Sequence, residues 1–381
     1  MKKISVIGVG KLGLCFSLGL EKVGYSVLGV DVSREYVDKL NQKSISSFEP
    51  FVEKYLKEST NFEATTDMSN AVKYSDVIFV VVATPSLENG RYDHTQVDEV
   101  VSNLKVFGKQ KNTKELIICC TTMPTYCDEI SKFLKDYNYN VSYNPEFIAQ
   151  GSIMKDQSNP DMILIGEASA KSGDIIQEIH QNLAKNEPKY HRMTRTEAEI
   201  TKLSLNCFLT TKIAYTNMIG DIVKSIGGRP EVVLEAIGSD SRIGNKYLRY
   251  GFGYGGPCFP RDNRALALFA DDLDMPADIS LATDRLNKKH LNFQVKSFTE
   301  NYDKEEPIFF DGAGTNIGGE MVFEGITYKK GTTIIEESQQ LLFAAQLAKI
   351  GYDVIIIDYE ETILQVKEIY EDLFHYEVIN D

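Results

Sequence analysis

The chain has 381 residues, 43% of them hydrophobic and 25% charged, with a formal net charge of −14. That length accommodates two or three domains, and the composition is that of an ordinary globular protein. The acidic balance argues against nucleic acid and against an anionic membrane surface as partners, and the longest apolar runs, such as "DVIFVVVA" and "YDVIIIDY", are too short to cross a bilayer.

The N-terminal "MKKISVIGVGKLG" puts basic residues before an apolar run, but glycines and Lys11 interrupt the run and no small-residue cleavage site follows. "KISVIGV" therefore reads as a first strand. Gly8, Gly10 and Gly13 form G-x-G-x-x-G, "LGLCFSLGLEKVG" has helical spacing and closes at Gly24, and "SVLGV" is a second strand ending at Asp31. In such a unit the first glycine permits the tight turn and the second lets a pyrophosphate approach the backbone. The third lets the helix pack on the strand, with the helix N-terminus facing the phosphates. Lys11 and Leu12 in the same turn complete the candidate cofactor contacts. Asp31 is placed to accept from the adenosine ribose hydroxyls and to repel a 2′-phosphate, which selects NAD over NADP; Arg34 nearby softens that selection.

"SDVIFVVVATPS", "ELIICCTTMPT" and "NVSYNPEFIAQGS" continue the pattern as strands that end in Thr84-Pro85, in Thr121-Thr122-Met123-Pro124 and in Asn144-Pro145-Glu146-Phe147. Polar residues and proline just past strand carboxyl ends belong to the ligand edge of a doubly wound sheet, although turn chemistry alone would account for each threonine taken singly. From about Thr196 some thirty residues keep helical spacing, closing at Gly227-Gly228. A helix of that kind joins domains and can pair with its copy. Lys202 and Asn206 lie four apart on one face of it, and the bland reading of Lys202 is a solvated surface lysine.

"GFGYGGPCFPRD", from Gly251 to Asp262, cannot be an ordinary helix or strand, and its four glycines imply close approach of the backbone to something. Pro260 suits the first turn of the following helix, which puts Cys258 at or just before a helix N-terminus. The positive dipole end and Arg261 favour a thiolate there, whereas Asp262 opposes it. Such a thiol can attack an aldehyde, and hydride loss then leaves a thioester for water to hydrolyse; the alternative is a small buried hydrophobe. "DNRALALFADDL" and "DISLATDRLNKKHLNFQVKSFTENY" read as helices. "PIFFDGAG", "MVFEGITY" and "YDVIIIDY" read as strands, with a helix in "EESQQLLFAAQLAKIG", giving a small second α/β unit. The six cysteines show no disulfide rhythm, as expected of reduced thiols in the cytoplasm, and no metal site is expected.

"GFGYGGPCFPRD", "YNPEFIAQG", "AEITKLSLNCF", "GSDSRIG" and "FEGITYKKGT" together resemble the UDP-glucose/GDP-mannose dehydrogenase family, in the family's order from Met1 to about Glu360. The resemblance implies an NAD-dependent enzyme that oxidises the C6 hydroxyl of a nucleotide sugar to a carboxylate in two hydride transfers, without releasing the aldehyde. It implies an α/β chain in three parts. Residues 1–195 form a Rossmann-type NAD domain on a doubly wound parallel sheet. Residues 196–300 form a central long-helix domain for catalysis and homodimerisation, and residues 301–381 a smaller Rossmann-like domain for the nucleotide sugar.

By the same resemblance Cys258 is the nucleophile, Lys202 and Asn206 hold the C6 oxygen, Thr122 and Asp262 hold or activate water, and Glu146 serves acid/base steps. Thr122, Thr84 and Pro85 also line the cofactor. Phe147, Ile148, Gln150, Phe252, Tyr254, Gly255 and Lys329 line the substrate, and Arg242 reaches substrate phosphate from a neighbouring subunit. The chain departs from the family at Ala149, Gln150 and Glu336, in "TTMPTY", and in an apparent insertion, "DGAGTNIGGEM". Rival readings are a two-electron β-hydroxyacid dehydrogenase, which needs no cysteine, and a non-catalytic binding protein.

Overall fold

The structure is a computed structural model and describes residues 2–148, 151–312, 314 and 321–379. Eight strands form the first sheet: β1 Lys3–Ile7, β2 Ser26–Val30, β3 Phe62–Thr65, β4 Val77–Val80, β5 Lys114–Ile118, β6 Tyr139–Tyr143, β7 Met162–Gly166 and β8 Lys189–Met193. Their order is β3-β2-β1-β4-β5-β6-β7-β8. All neighbours run parallel except β6 and β7. The chain moves outward from β1 to β3 and then returns to the other side of β1 as β4. The carboxyl ends of β1 and β4 therefore border the switch point where doubly wound sheets bind ligands. β1, β2, β4, β5 and β7 are largely apolar and buried, as strands covered by helices on both faces must be. Ile4, Val6 and Phe79 pack on one side and Ile7, Ile78, Val80 and Leu116 on the other.

The chain divides into two compact units, up to Lys202 and from Leu203 onward. The division falls inside one 31-residue helix, Arg195–Ser225, which matches the helix expected from the spacing. The second unit carries helices Pro230–Gly238, Phe259–Asp272 and Asp278–Asn301, and a parallel sheet in the order β10-β9-β11-β12. Its strands are β9 Ile308–Asp311, β10 Val322–Glu324, β11 Val354–Asp358 and β12 His375–Val378. An aromatic cluster holds this sheet: Phe310 stacks on Phe323 at 5.1 Å, and Phe298 meets Phe343 edge-on at 5.7 Å.

The expected α/β architecture is present, with local differences. "MVFEGITY" yields only three strand residues, Val322–Glu324, and is followed by Gly325, where a Cβ would stand 2.7 Å from the Gly312 Cα. β3, β7, β8 and β12 were not foreseen; β12, "HYEV", is polar and largely exposed and so lacks an apolar signature. Most of the apparent insertion, Ala313 and residues 315–320, lies outside the described residues.

Candidate active site

The glycine turn after β1 divides by cause. Gly8 has φ +90, and a Cβ there would lie 2.6 Å from the Val81 carbonyl oxygen; a Cβ on Gly13 would lie 1.9 Å from the Gly8 oxygen. Both glycines are required by the chain's own packing. Gly10 differs, since a Cβ there would meet nothing within 4 Å. Gly10 caps the helix Lys11–Lys22, which has no side-chain cap bond and no acidic residue in its first turn. Open space over Gly10, beside the first-turn amides of Lys11, Leu12 and Gly13, fits a dinucleotide pyrophosphate. Asp31 follows β2, its Oδ1 accepting from the Ser33 amide at 3.1 Å, and Arg34 stands exposed just beyond. Thr84 is buried and donates to the Thr121 carbonyl at 2.8 Å, while Pro85 is exposed.

Thr122 is fully buried, and its hydroxyl donates to Glu199 Oε1 at 2.9 Å. Glu199, on the long helix, also accepts from the amides of Thr125 at 2.8 Å and Cys127 at 2.9 Å. It thereby caps the helix Tyr126–Phe133 from outside, since Thr125 makes no side-chain cap bond. On the other side of the loop, His94 Nε2 accepts from the Met123 amide at 3.3 Å and its ring stacks on Tyr126 at 3.7 Å. Burial pushes His94 down to about 4, so the ring is neutral and can accept.

Lys202 is only 8% exposed, which corrects the reading of a solvated lysine. Its ammonium donates to the Glu146 carbonyl oxygen at 2.7 Å and lies 4.4 Å from the centre of the Phe147 ring. Burial pushes the Glu146 carboxyl up to about 7, with the Lys202 charge and the neighbouring Gln157 side chain pulling it back. Ile148 is half-buried beside them, and Gln150, like Ala149, lies outside the described residues.

In the second unit Cys258 is the exposed cysteine, while the other five are buried; it is therefore not a small buried hydrophobe. It is the N-cap residue of the helix Phe259–Asp272, with Pro260 in the first turn as the sequence implied. One turn on, Asp262 is 1% exposed and its Oδ2 accepts from Asn206 Nδ2 at 2.6 Å. The preceding loop is tied down through its backbone. Asn287 bonds both the amide and the carbonyl of Tyr254, at 3.0 and 2.9 Å. Asn217 accepts from the Gly251 amide at 3.2 Å, and His290 Nε2 contacts the Gly251 carbonyl at 2.6 Å while its Nδ1 meets Asp221 at 2.9 Å. The Tyr254 hydroxyl donates to Asp284.

The close approach implied by the glycines is to the chain itself. A Cβ would lie 2.2 Å from Asn287 Oδ1 at Gly253, 2.3 Å from the Glu337 carbonyl oxygen at Gly255, and 2.4 Å from the Tyr328 ring at Gly256. Phe252 packs edge-on against Phe343 at 5.6 Å. Arg242 is exposed and pairs with Asp240 at 2.7 Å, and Lys329 is exposed. Glu336 is exposed too, its carbonyl accepting from the Gly256 amide at 2.9 Å.

Sequence reasoning did not find Glu199, His94, Asn217, Asn287 or His290, whose partners are remote in the chain. Only Glu199 carried a signal, a carboxylate three residues before Lys202 in an otherwise apolar helix.

An open glycine turn at the switch point, with Asp31 at the end of the next strand, fits a dinucleotide-binding domain. The chain belongs to the UDP-glucose/GDP-mannose dehydrogenase family: residues 2–184 match its NAD binding domain and residues 196–289 its central domain. It is 30% identical over 340 residues to a UDP-glucose 6-dehydrogenase of Rickettsia felis, covering 88% of this chain and 73% of the relative. It is 28% identical over 370 residues to a GDP-mannose 6-dehydrogenase of Pseudomonas syringae pv. tomato, covering 93% and 80%. Its fold matches a UDP-glucose dehydrogenase from Pyrobaculum islandicum with TM-score 0.86 at 25% identity, over 100% of this chain and 86% of that one. The protein is a nucleotide-sugar dehydrogenase with NAD as its cofactor. No helix among the described residues is long and apolar enough to cross a membrane.

Proposed function

We propose that the protein oxidises the C6 hydroxyl of a UDP- or GDP-hexose to a carboxylate in a four-electron reaction, retaining the aldehyde as an adduct of Cys258. The observation that carries this reading is an exposed thiol at a helix N-cap, one turn before a buried aspartate bonded to Asn206. A two-electron oxidation has no need of such a thiol. NAD, when bound, supplies the hydride acceptor for both oxidations. The Cys258 sulfur adds to the C6 aldehyde carbon, and the oxygen gains a proton to give a thiohemiacetal. Loss of a hydride from carbon and a proton from oxygen of that adduct leaves a thioester. Water adds to the thioester carbon, and the C–S bond breaks to return the thiol and release the carboxylate.

Lys202 and Asn206 donate to the C6 oxygen as charge develops on it, an interaction that strengthens in the transition state. Thr122 and Asp262 hold the water. Glu146, poised near 7, exchanges the protons. Phe147, Ile148, Gln150, Phe252, Tyr254, Gly255 and Lys329 line the sugar and its diphosphate.

The long helix exposes Phe208, Tyr215 and Ile222 at heptad spacing, a stripe suited to pairing with a second copy. The chain forms a cytoplasmic homodimer in this reading, with Arg242 reaching substrate phosphate across the dimer. The division at 195 and 300 into NAD, central and nucleotide-sugar domains belongs to the same proposal.

The deciding experiment incubates the pure protein with NAD and a panel of UDP- and GDP-sugars, counting NADH per sugar consumed. Two per sugar supports the four-electron reaction and identifies the substrate. One per sugar replaces it with the two-electron reaction.

A further inference from the structure

We propose that Glu199 is a positioning residue for hydrolysis: from the long helix it fixes the direction of the Thr122 hydroxyl, so that Thr122 can receive water only as an acceptor. The inference rests on the reading of Thr122 as a water-holding residue.

Glu199 is fully buried and accepts three bonds from one short loop, those of Thr122 Oγ1, the Thr125 amide and the Cys127 amide. An ionised carboxylate only accepts, so the single Thr122 proton is committed to Oε1 and its lone pairs point elsewhere. A water bonded to those lone pairs turns a hydrogen toward Thr122 and keeps its own lone pairs for attack on a carbon. Burial leaves the Glu199 carboxyl above its ordinary value, and the bonds from the Cys127 amide and side chain, from Thr122 and from Thr125 offset part of that rise. The loop needs this support: Thr125 has φ +79, a left-handed conformation uncommon for a β-branched residue, and its amide is bound to Oε2. Glu199 also lies three residues before Lys202 on the same helix, so that helix fixes the water-holding loop and the buried ammonium together.

The test is Glu199→Gln in the full-length protein, with Thr122→Ala and the double variant. A glutamine amide nitrogen cannot accept, so the loop loses one side of its anchor. The expected result is a fall in kcat of roughly 10- to 100-fold with KM for NAD and sugar nearly unchanged. Hydrolysis should become limiting. NADH then appears in a burst, and intact-mass spectrometry finds a sugar adduct on Cys258. The double variant should be no slower than the slower single variant, because Glu199 acts through Thr122.

Multiplicative losses, or slow turnover without burst or adduct, overturn the proposal. So does normal turnover of Glu199→Gln beside a damaged Thr122→Ala. Normal turnover of Thr122→Ala removes the reading of Thr122 and the inference with it. If Glu199→Gln folds poorly, Thr125→Gly in the same background relieves the strained φ. Recovered stability with the burst retained supports positioning, and recovered stability with normal hydrolysis overturns it.

Discussion

The ammonium of Lys202 donates to the carbonyl oxygen of Glu146 at 2.7 Å, and the ring of Phe147, the next residue, lies 4.4 Å from the same nitrogen. One strand-end loop thus supplies both an acceptor and a π face to a lysine only 8% exposed. Lys202→Met keeps the apolar stem and removes the charge. It should lower kcat by at least about 100-fold, the loss expected when an oxyanion donor is removed, with little change in melting temperature. Steady-state kinetics beside a thermal melt checks this; a variant with near-normal kcat would place Lys202 outside the chemistry.

Glu146 sets a pH dependence. Its carboxyl is raised from 4.5 to about 7, so it is largely protonated below 7 and ionised above. If it accepts a proton during hydrolysis, the rate should climb as pH rises through about 7, and Glu146→Gln should abolish that limb. Stability runs the other way. The native state holds this proton more tightly than the unfolded chain, so the contribution is complete below about 4.5 and disappears as pH rises through 7. Urea unfolding at pH 5 and pH 8 should show a larger decline for the wild type than for Glu146→Gln.

Cys258→Ser should bind nucleotide sugar and NAD about as well as the wild type and form no acid. The position is exposed, so the stability change should stay within about 0.5 kcal/mol. Titration calorimetry and product analysis test the two halves separately. A serine variant that still released the carboxylate would rule out the covalent route.

Gly10 and Gly13 should respond in opposite ways. Gly10→Ala adds a methyl into open space and should leave folding stability nearly unchanged while weakening NAD binding, as read by calorimetry. Gly13→Ala drives a methyl to 1.9 Å from the Gly8 oxygen and should destabilise the first unit, by roughly 1–3 kcal/mol. Equal NAD affinity in Gly10→Ala and wild type would show that the pyrophosphate does not use this turn.

Phe208→Glu should convert a dimer into a monomer of unchanged fold, since Phe208 is 66% exposed on the long helix. Sedimentation velocity distinguishes the two states. A monomeric wild type would withdraw the pairing proposed for this helix.

Five strands of the first sheet, β1, β2, β4, β5 and β6, could be read from the chain because each is an apolar or β-branched run closed by a turn-forming or polar residue at its carboxyl end; β3 and β8, "FEAT" and "KYHRM", carry too few apolar residues to be read that way. Lys202, Asn206, Cys258 and Asp262 stood out by residue type and spacing. Glu199 did not, because what makes it important is its bonds to residues 72 to 77 positions away. Asn287 was invisible for the same reason, as was β12, whose polar pattern resembles a loop. The glycines between Gly251 and Gly256 announced close approach, but not to what; that depends on Asn287, Tyr328 and Glu337, which a linear reading has no way to join to them.

Those joins constrain how the protein can be re-engineered. Gly255 lies against the Glu337 carbonyl, Gly256 donates a backbone bond to the Glu336 carbonyl and packs on Tyr328, and Phe252 enters the aromatic cluster of the last sheet. A chimera that grafts a relative's C-terminal third, with the aim of changing which nucleotide is accepted, also replaces the mould in which the cysteine segment sets. Grafts with a seam beyond Phe343 keep that mould, and grafts with a seam before Tyr328 need the donor's own "GFGYGGPCFP" counterpart to travel with them.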